Sequence, residues 1–259
     1  MGTVFSFDVR GSADAPRTRE ALDRAVAFLH RMDAVFSPYR EDSDVSRLAR
    51  GEWAEGNASA DDCDPAVREV RRLCEEAERR TEGWFTPGYA RRDASVAAIW
   101  DPTGLVKGWA TEHAAHLLAE AAPEAAVCVN GGGDIQLLGG PWRIGIADPL
   151  VPGALATVVE VGADASRTAV ATSGPAERGC HILDPHTGEP PALALAALTV
   201  VCPSLTDADV GATAAYARGA GARAWLERQP GTEAFATEPD GTTWQTGGFG
   251  RWRSRRPTE

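Results

Sequence analysis

The period of the apolar residues changes partway along this chain, and that change limits the fold more than any single motif. In the first half they recur at helical spacing. Thr18 to Phe36 carries Leu22, Val26, Leu29 and Val35-Phe36 on one face, and the run from Asp64 to Arg80 carries Val67, Val70, Leu73 and Ala77. In the second half the apolar runs are short and extended: Ala126 to Val129, Ile135 to Leu138, Trp142 to Ile146, Ala156 to Val161, Ala169 to Thr172 and Leu198 to Val201. Helices return from about Ala208 to Arg218 and Ala222 to Arg228, followed by a hairpin around Asp240-Gly241. No regular strand–helix–strand rhythm runs through these elements, so the class is α+β rather than doubly wound. The cluster Asn130-Gly131-Gly132-Gly133-Asp134 supports this. A dinucleotide fingerprint needs a helix after its glycines, and here a strand follows.

Local signals mark several boundaries. Thr3 to Val9 alternates as a strand. Pro38 ends the first helix, and Ser43 is placed to cap a short second one. Asp64-Pro65 is an N-cap followed by proline at the first helical position, and Gly83 closes that helix. Ala94 to Trp100 reads as a strand. It feeds Asp101-Pro102-Thr103-Gly104-Leu105-Val106-Lys107-Gly108, where a helix begins.

That last stretch holds the only lysine among the 26 Lys and Arg residues. In a chain that otherwise uses arginine, a lone ammonium points to a site that needs a compact charge with rotatable donors. A helix N-terminus with a glycine and a lysine in its first turn suits a phosphate group; the alternative is an ordinary strand-to-helix junction. Asp209 and Thr213 lie four apart, which on a helix puts a carboxylate and a hydroxyl on one face. These are hard oxygen ligands suited to Mg²⁺ rather than zinc. The competing reading makes Asp207 or Asp209 an N-cap, with Thr213 bonding back to a carbonyl. His181, beside a glycine-rich loop, is a candidate general base. Ser173 with His181 lacks the GxSxG elbow of a hydrolase. His113 and His116 share a helix face without the spacing of a zinc site.

The bulk numbers exclude whole classes. A formal charge of −11 and a pI near 5.0 argue against a nucleic-acid partner. Five scattered cysteines with no CxxC argue for a reducing compartment rather than a disulfide frame. No apolar run is long enough to span a bilayer, so no membrane insertion is expected. No secretory signal is evident, and the expected location is cytoplasmic.

Seven motifs, in order along nearly the whole chain, resemble the ApbE family of flavin transferases. They are Met1-Gly2-Thr3; Phe36-Ser37-x-Tyr39 with Ser43-x-x-Ser46-Arg47-Leu48; Asp101-Pro102-x-Gly104-x-x-Lys107-Gly108-Trp109-Ala110; Asn130-x-Gly132-Gly133-Asp134-Ile135; Ala171-Thr172-Ser173-Gly174; His181-Ile182-x-Asp184-Pro185-x-Thr187-Gly188; and Asp209-x-x-Ala212-Thr213-Ala214. The resemblance implies an ApbE-like (T-fold-like) domain over residues 1–259, with mixed helices and a largely antiparallel sheet in two intimately packed halves. It implies a Mg²⁺-dependent enzyme that moves FMN from FAD to a threonine or serine hydroxyl of an acceptor protein and releases AMP. Two other activities stay open: FAD hydrolysis to FMN and AMP, and FAD binding without transfer. Carried over by position, Met1, Tyr39, Trp84, Phe85, Thr86, Asp101, Lys107 and Leu183 would contact FAD. The metal would take the side chains of Asp209 and Thr213 and the carbonyls of Gly104 and Ala212, with His181 as the base. The sequence departs from the family pattern at Ala49, where asparagine is usual, and at Thr86, where aspartate is usual. The chain starts at the first motif, which predicts a missing or shortened leading strand.

Overall fold

The computed structural model describes residues 2–52, 63–89, 99–175, 182–191 and 195–252. The chain runs β1 (Phe5–Arg10), α1 (Ala15–Phe36), α2 (Asp44–Ala49), α3 (Pro65–Arg80), β2 (Gly88–Tyr89), β3 (Ile99–Trp100), α4 (Thr103–Ala121), β4 (Ala126–Gly131) and β5 (Asp134–Leu138). It continues with β6 (Trp142–Ala147), β7 (Leu155–Val161), β8 (Arg167–Ser173), β9 (Ala197–Cys202), α5 (Leu205–Arg218), α6 (Ala222–Leu226), β10 (Glu233–Thr237) and β11 (Thr243–Gln245). This is the mixed helix and antiparallel-sheet architecture expected from the sequence. Of the strand Ala94 to Trp100, only β3 falls within the described residues.

Seven strands form one open sheet in the order β1-β4-β5-β8-β9-β10-β11, and every neighbouring pair is antiparallel. Its two faces have different neighbours because the strand residues alternate in size. Ala169 and Ala171 of β8 and Ala234 and Ala236 of β10 point to the helices, and their small side chains let helix backbones come close. Leu137, Val170, Val201 and Phe235 point the other way. There they pack on Trp142, Ile146, Val159 and Val161 of the β6–β7 hairpin.

α4 is the central helix. Leu105, Val106, Trp109, Ala110, Ala114, Ala115 and Leu118 bury it on most sides, as expected of a helix enclosed by other elements. It packs against α1 on one side and α5 on another, with the sheet beneath. Trp109 meets Phe36 of α1 edge to face at 6.2 Å.

The predicted caps are in place. Ser43 accepts from the Ser46 amide at 3.1 Å and Asp64 from the Ala66 amide at 2.9 Å. α5 begins at Leu205, three residues before the expected start, because Ser204 caps it by accepting from the Asp207 amide. Neither Asp207 nor Asp209 is the cap. Asp209 is therefore a helix-interior residue whose side chain serves something else.

Buried Gln136 and half-buried Glu112 fasten the start of α5. The Gln136 side chain accepts from the Leu205 amide at 2.9 Å, and its amide nitrogen donates to the carbonyls of Pro203 and Thr168. Glu112 of α4 accepts from the Thr206 amide at 2.9 Å and from the hydroxyls of Ser204 and Thr206, and it pairs with Arg167 at 2.9 Å. Gln136→Leu fills the space but strands the Leu205 amide and takes the side-chain donor from the carbonyls of Leu137, Thr168 and Pro203. The expected loss is about 2 kcal/mol, read as a lower urea midpoint with an unchanged slope.

The cysteines of the described residues, Cys63, Cys74, Cys128 and Cys202, are free. Burial pushes the thiols of Cys74 and Cys202 up to about 12. At pH 8 iodoacetamide is expected to leave both unmodified in the folded protein and to label both after denaturation, as read by peptide mass spectrometry. Among the described residues no helix is long and apolar enough to cross a membrane.

Candidate functional site

The β4–β5 hairpin builds one wall of the site. Gly131 pairs with Asp134, so only Gly132 and Gly133 form the turn, and both have positive φ, at 62° and 94°. A two-residue turn of this hand needs residues that tolerate the left-handed region, which explains the glycines. The Asn130 side chain accepts from the Gly133 amide at 2.8 Å and closes the turn. Asp134 is then the first residue of β5. With Gln136 it points to the helix side of the sheet, and it is only 2% exposed.

The second wall is the crossing of α4 and α5. A Cβ on Gly108 would lie 2.9 Å from the Leu205 carbonyl and 2.9 Å from Asp209 Cβ. The absence of a side chain there lets the helices touch. The Gly108 amide donates to Asp209 Oδ2 at 3.1 Å, which ties the buried carboxylate to the neighbouring helix. Asp209 Oδ2 also lies 3.8 Å from Lys107 Nζ.

Lys107 is the fifth residue of α4, in its second turn rather than the first. From there its ammonium reaches across to Asp134 Oδ2, with which it pairs. The other Asp134 oxygen accepts from the Thr172 amide at 3.1 Å. The start of α4 is occupied differently. Asp101 Oδ1 accepts from the Thr103 amide at 3.0 Å, so a carboxylate already uses one of the donors there.

These groups open onto a cavity of about 710 Å³, within the range of small-molecule and cofactor sites. Of the residues singled out from the sequence, Tyr39, Phe85, Thr86, Asp101, Gly104, Lys107, Asp209 and Thr213 line it. Tyr39 stands at the mouth, 93% exposed, while Phe85 is buried against the start of α4. Thr86 accepts from the Gly88 amide at 3.1 Å, an interaction within its own loop. Trp84 does not line the cavity; its ring packs on His186 at 4.5 Å and under Arg218. Leu183 and Ala212 do not line it either, although Ile182 does, and Ala212 is fully buried. Met1 and His181 lie outside the described residues.

Sequence reasoning places Asp134 and Thr172 within motifs but gives them no role. The available signal was polar residues Asp134 and Gln136 alternating with Ile135 and Leu137, which places two polar side chains on one buried face.

Asp209, Thr213 and Gly104 supply hard oxygen donors at one cavity. Among the described residues no cluster of three or more His, Cys, Asp or Glu could hold a metal. A cation beside Asp209 would meet that carboxylate, the Thr213 hydroxyl and the Gly104 carbonyl, because Asp134 is paired with Lys107 and Asp101 with the Thr103 amide. Hard oxygen donors of this kind suit Mg²⁺ better than zinc.

A second cavity, of about 380 Å³, lies among α3, α4 and α5. Its charged groups are already engaged: Arg80 with Asp207, Glu69 with the Trp109 indole, and Glu112 as described. His113 in its wall is exposed and stacks on Phe28 at 4.5 Å.

The model of the ApbE family matches residues 1–100 and 91–236, and the chain belongs to that family. Solved structures share the fold over almost their full length. An ApbE protein of Thermotoga maritima superposes with a TM-score of 0.80 at 21% identity, covering 98% of this chain and 97% of that one. The flavinyl transferase ApbE of Pseudomonas stutzeri, in its apo form, gives 0.75 at 23% identity, covering 98% of each chain. The flavin transferase ApbE of Vibrio cholerae gives 0.75 at 22% identity, covering 96% of this chain and 98% of that one. No curated protein matches the sequence.

Proposed function

We propose that this chain is a Mg²⁺-dependent FAD:protein FMN transferase, which moves FMN from FAD to a threonine or serine hydroxyl of an acceptor protein and releases AMP. The observation that carries the reading is the meeting of Lys107, Asp209 and Thr213 at one cavity. Membership of the ApbE family supports it. So do the names of its Pseudomonas and Vibrio relatives, which are flavin transferases.

The chemistry follows from the charges. Lys107 against Asp101, Asp134 and Asp209 leaves the cavity lining two net negative charges, which repel a pyrophosphate. A divalent cation would cancel them, so substrate and metal are expected to bind together. Asp209, Thr213 and the Gly104 carbonyl would hold Mg²⁺, which would supply neutralising charge to the pyrophosphate oxygens; Ala212, buried within α5, does not line the cavity. Lys107 binds the same oxygens and keeps its ammonium fixed there. The acceptor oxygen forms a bond to the FMN phosphorus, and the bond from that phosphorus to the bridging oxygen breaks. AMP departs with the bridging oxygen. The hydroxyl proton passes to a base, for which His181 is the candidate. Tyr39, Phe85, Thr86 and Asp101 would hold the remainder of FAD, with Met1 as a further contact; Trp84 and Leu183, which do not line the cavity, take no part in it.

The test is incubation with FAD and Mg²⁺, with and without an acceptor peptide, followed by chromatography of nucleotides and flavins. AMP together with a flavin-labelled peptide is expected. AMP with free FMN in the absence of peptide identifies a pyrophosphatase instead, and FAD bound without AMP identifies a binding protein.

A further inference from the structure

The geometry points to Asp134 as a positioning residue that holds the Lys107 ammonium on the pyrophosphate side of the site and off the Asp209 carboxylate. This inference rests on the transferase reading and adds a residue to it.

Lys107 has two carboxylates within reach. It pairs directly with Asp134 Oδ2, while Asp209 Oδ2 is 3.8 Å away. Asp209 is the only one of the two placed beside Thr213 on α5, where oxygen donors for a cation converge. An ammonium collapsed onto Asp209 would occupy a lone pair that the cation needs. One held by Asp134 stays 3.8 Å from it.

Asp134 is built for this task. It is 2% exposed, so its charge acts through little water. Its Oδ1 is fixed by the Thr172 amide at 3.1 Å. The Gly132-Gly133 turn sets its backbone at the cavity edge. The Thr111 hydroxyl bonds the Lys107 carbonyl at 2.7 Å, which fixes the lysine at its other end. The long lysine side chain, rooted in α4, is thereby held at its tip by Asp134, and the entropy cost of ordering it is met before substrate arrives.

The variant Asp134→Asn separates positioning from scaffolding. Its side-chain oxygen still accepts from the Thr172 amide, but its NH₂ now faces the ammonium and cannot hold it. The measurement is quenching of flavin fluorescence on binding FAD and, separately, riboflavin, which has no phosphate, without added metal and with Mg²⁺. Thermal unfolding is recorded alongside. Removing the Asp134 charge would by itself favour FAD, so a loss reports the displaced ammonium: Asp134→Asn is expected to weaken FAD about tenfold, leave riboflavin within about twofold, and add no further loss in a Lys107→Ala background. Three results overturn the inference: unchanged FAD affinity, an equal loss for FAD and riboflavin, or a further loss when Lys107 is already absent. If the wild-type protein binds neither flavin, the transferase reading fails first and this inference falls with it. Wild-type binding with an unaffected variant sinks the positioning role alone.

Discussion

Lys107→Ala and Asp209→Ala are each expected to lower AMP release from FAD to below about one-thousandth of the wild-type rate, at saturating Mg²⁺ and FAD. That factor corresponds to about 4 kcal/mol of lost transition-state stabilisation, the scale found when one charge or one metal ligand is removed from a phosphoryl-transfer site. The two variants should differ in how they fail. Lys107→Ala removes a cation that faces substrate, so its FAD affinity falls as well. Asp209→Ala removes a carboxylate from the cation's proposed donor set, so its residual activity should rise steeply with Mg²⁺ concentration. Asp209→Asn keeps the Gly108 amide contact and the side-chain shape, and should be nearly as inactive. Full activity in either alanine variant contradicts the site assignment.

Gly108→Ala is expected to cost about 2 kcal/mol of stability and about a hundredfold in rate. The new methyl group would meet the Leu205 backbone carbonyl and Asp209 Cβ, both at 2.9 Å, and neither is the end of a flexible side chain. The α4–α5 crossing must open, and the overpacking penalty follows. Opening it also moves Asp209 relative to Lys107, and a displacement near an ångström at a reacting centre is enough for the rate loss. Denaturant unfolding gives the first number and AMP release the second. A variant that loses stability but keeps its full rate would show that this helix contact does not set the site.

Much of this arrangement is legible in the amino-acid order alone, and the legible part is local. Ser43 and Asp64 cap helices through bonds to amides two or three residues away, so a short window of sequence contains both partners. The Gly-Gly hairpin is readable for the same reason, because the turn needs positive φ at adjacent residues. Asp209 and Thr213 share a face wherever the helix begins, and the three-residue error at the start of α5 leaves that pairing intact.

What the sequence hides is long-range. Asp134 reads as a turn residue until β5 is seen paired between β4 and β8, and until α4 lays Lys107 across it. Lys107 is expected at the helix N-terminus, and one turn of displacement changes its partner from backbone donors to a carboxylate on another element. Gln136 looks like an ordinary polar position in a strand. Its role is visible only once Pro203 and Leu205, 67 and 69 residues away, arrive beside it. The Gly108 contact with Asp209 spans 101 residues in the same way.

The central claim, that one cavity built on Lys107 and the Asp209 helix passes FMN to a protein hydroxyl, is tested most directly by intact-mass spectrometry of an acceptor protein. The acceptor is incubated with this chain, FAD and Mg²⁺, and one equivalent of AMP is measured beside it. The account predicts an acceptor heavier by FMN less one water, with the flavin on a threonine or serine, and no adduct when Asp209→Ala replaces the wild type. An unmodified acceptor alongside accumulating AMP and free FMN would contradict it.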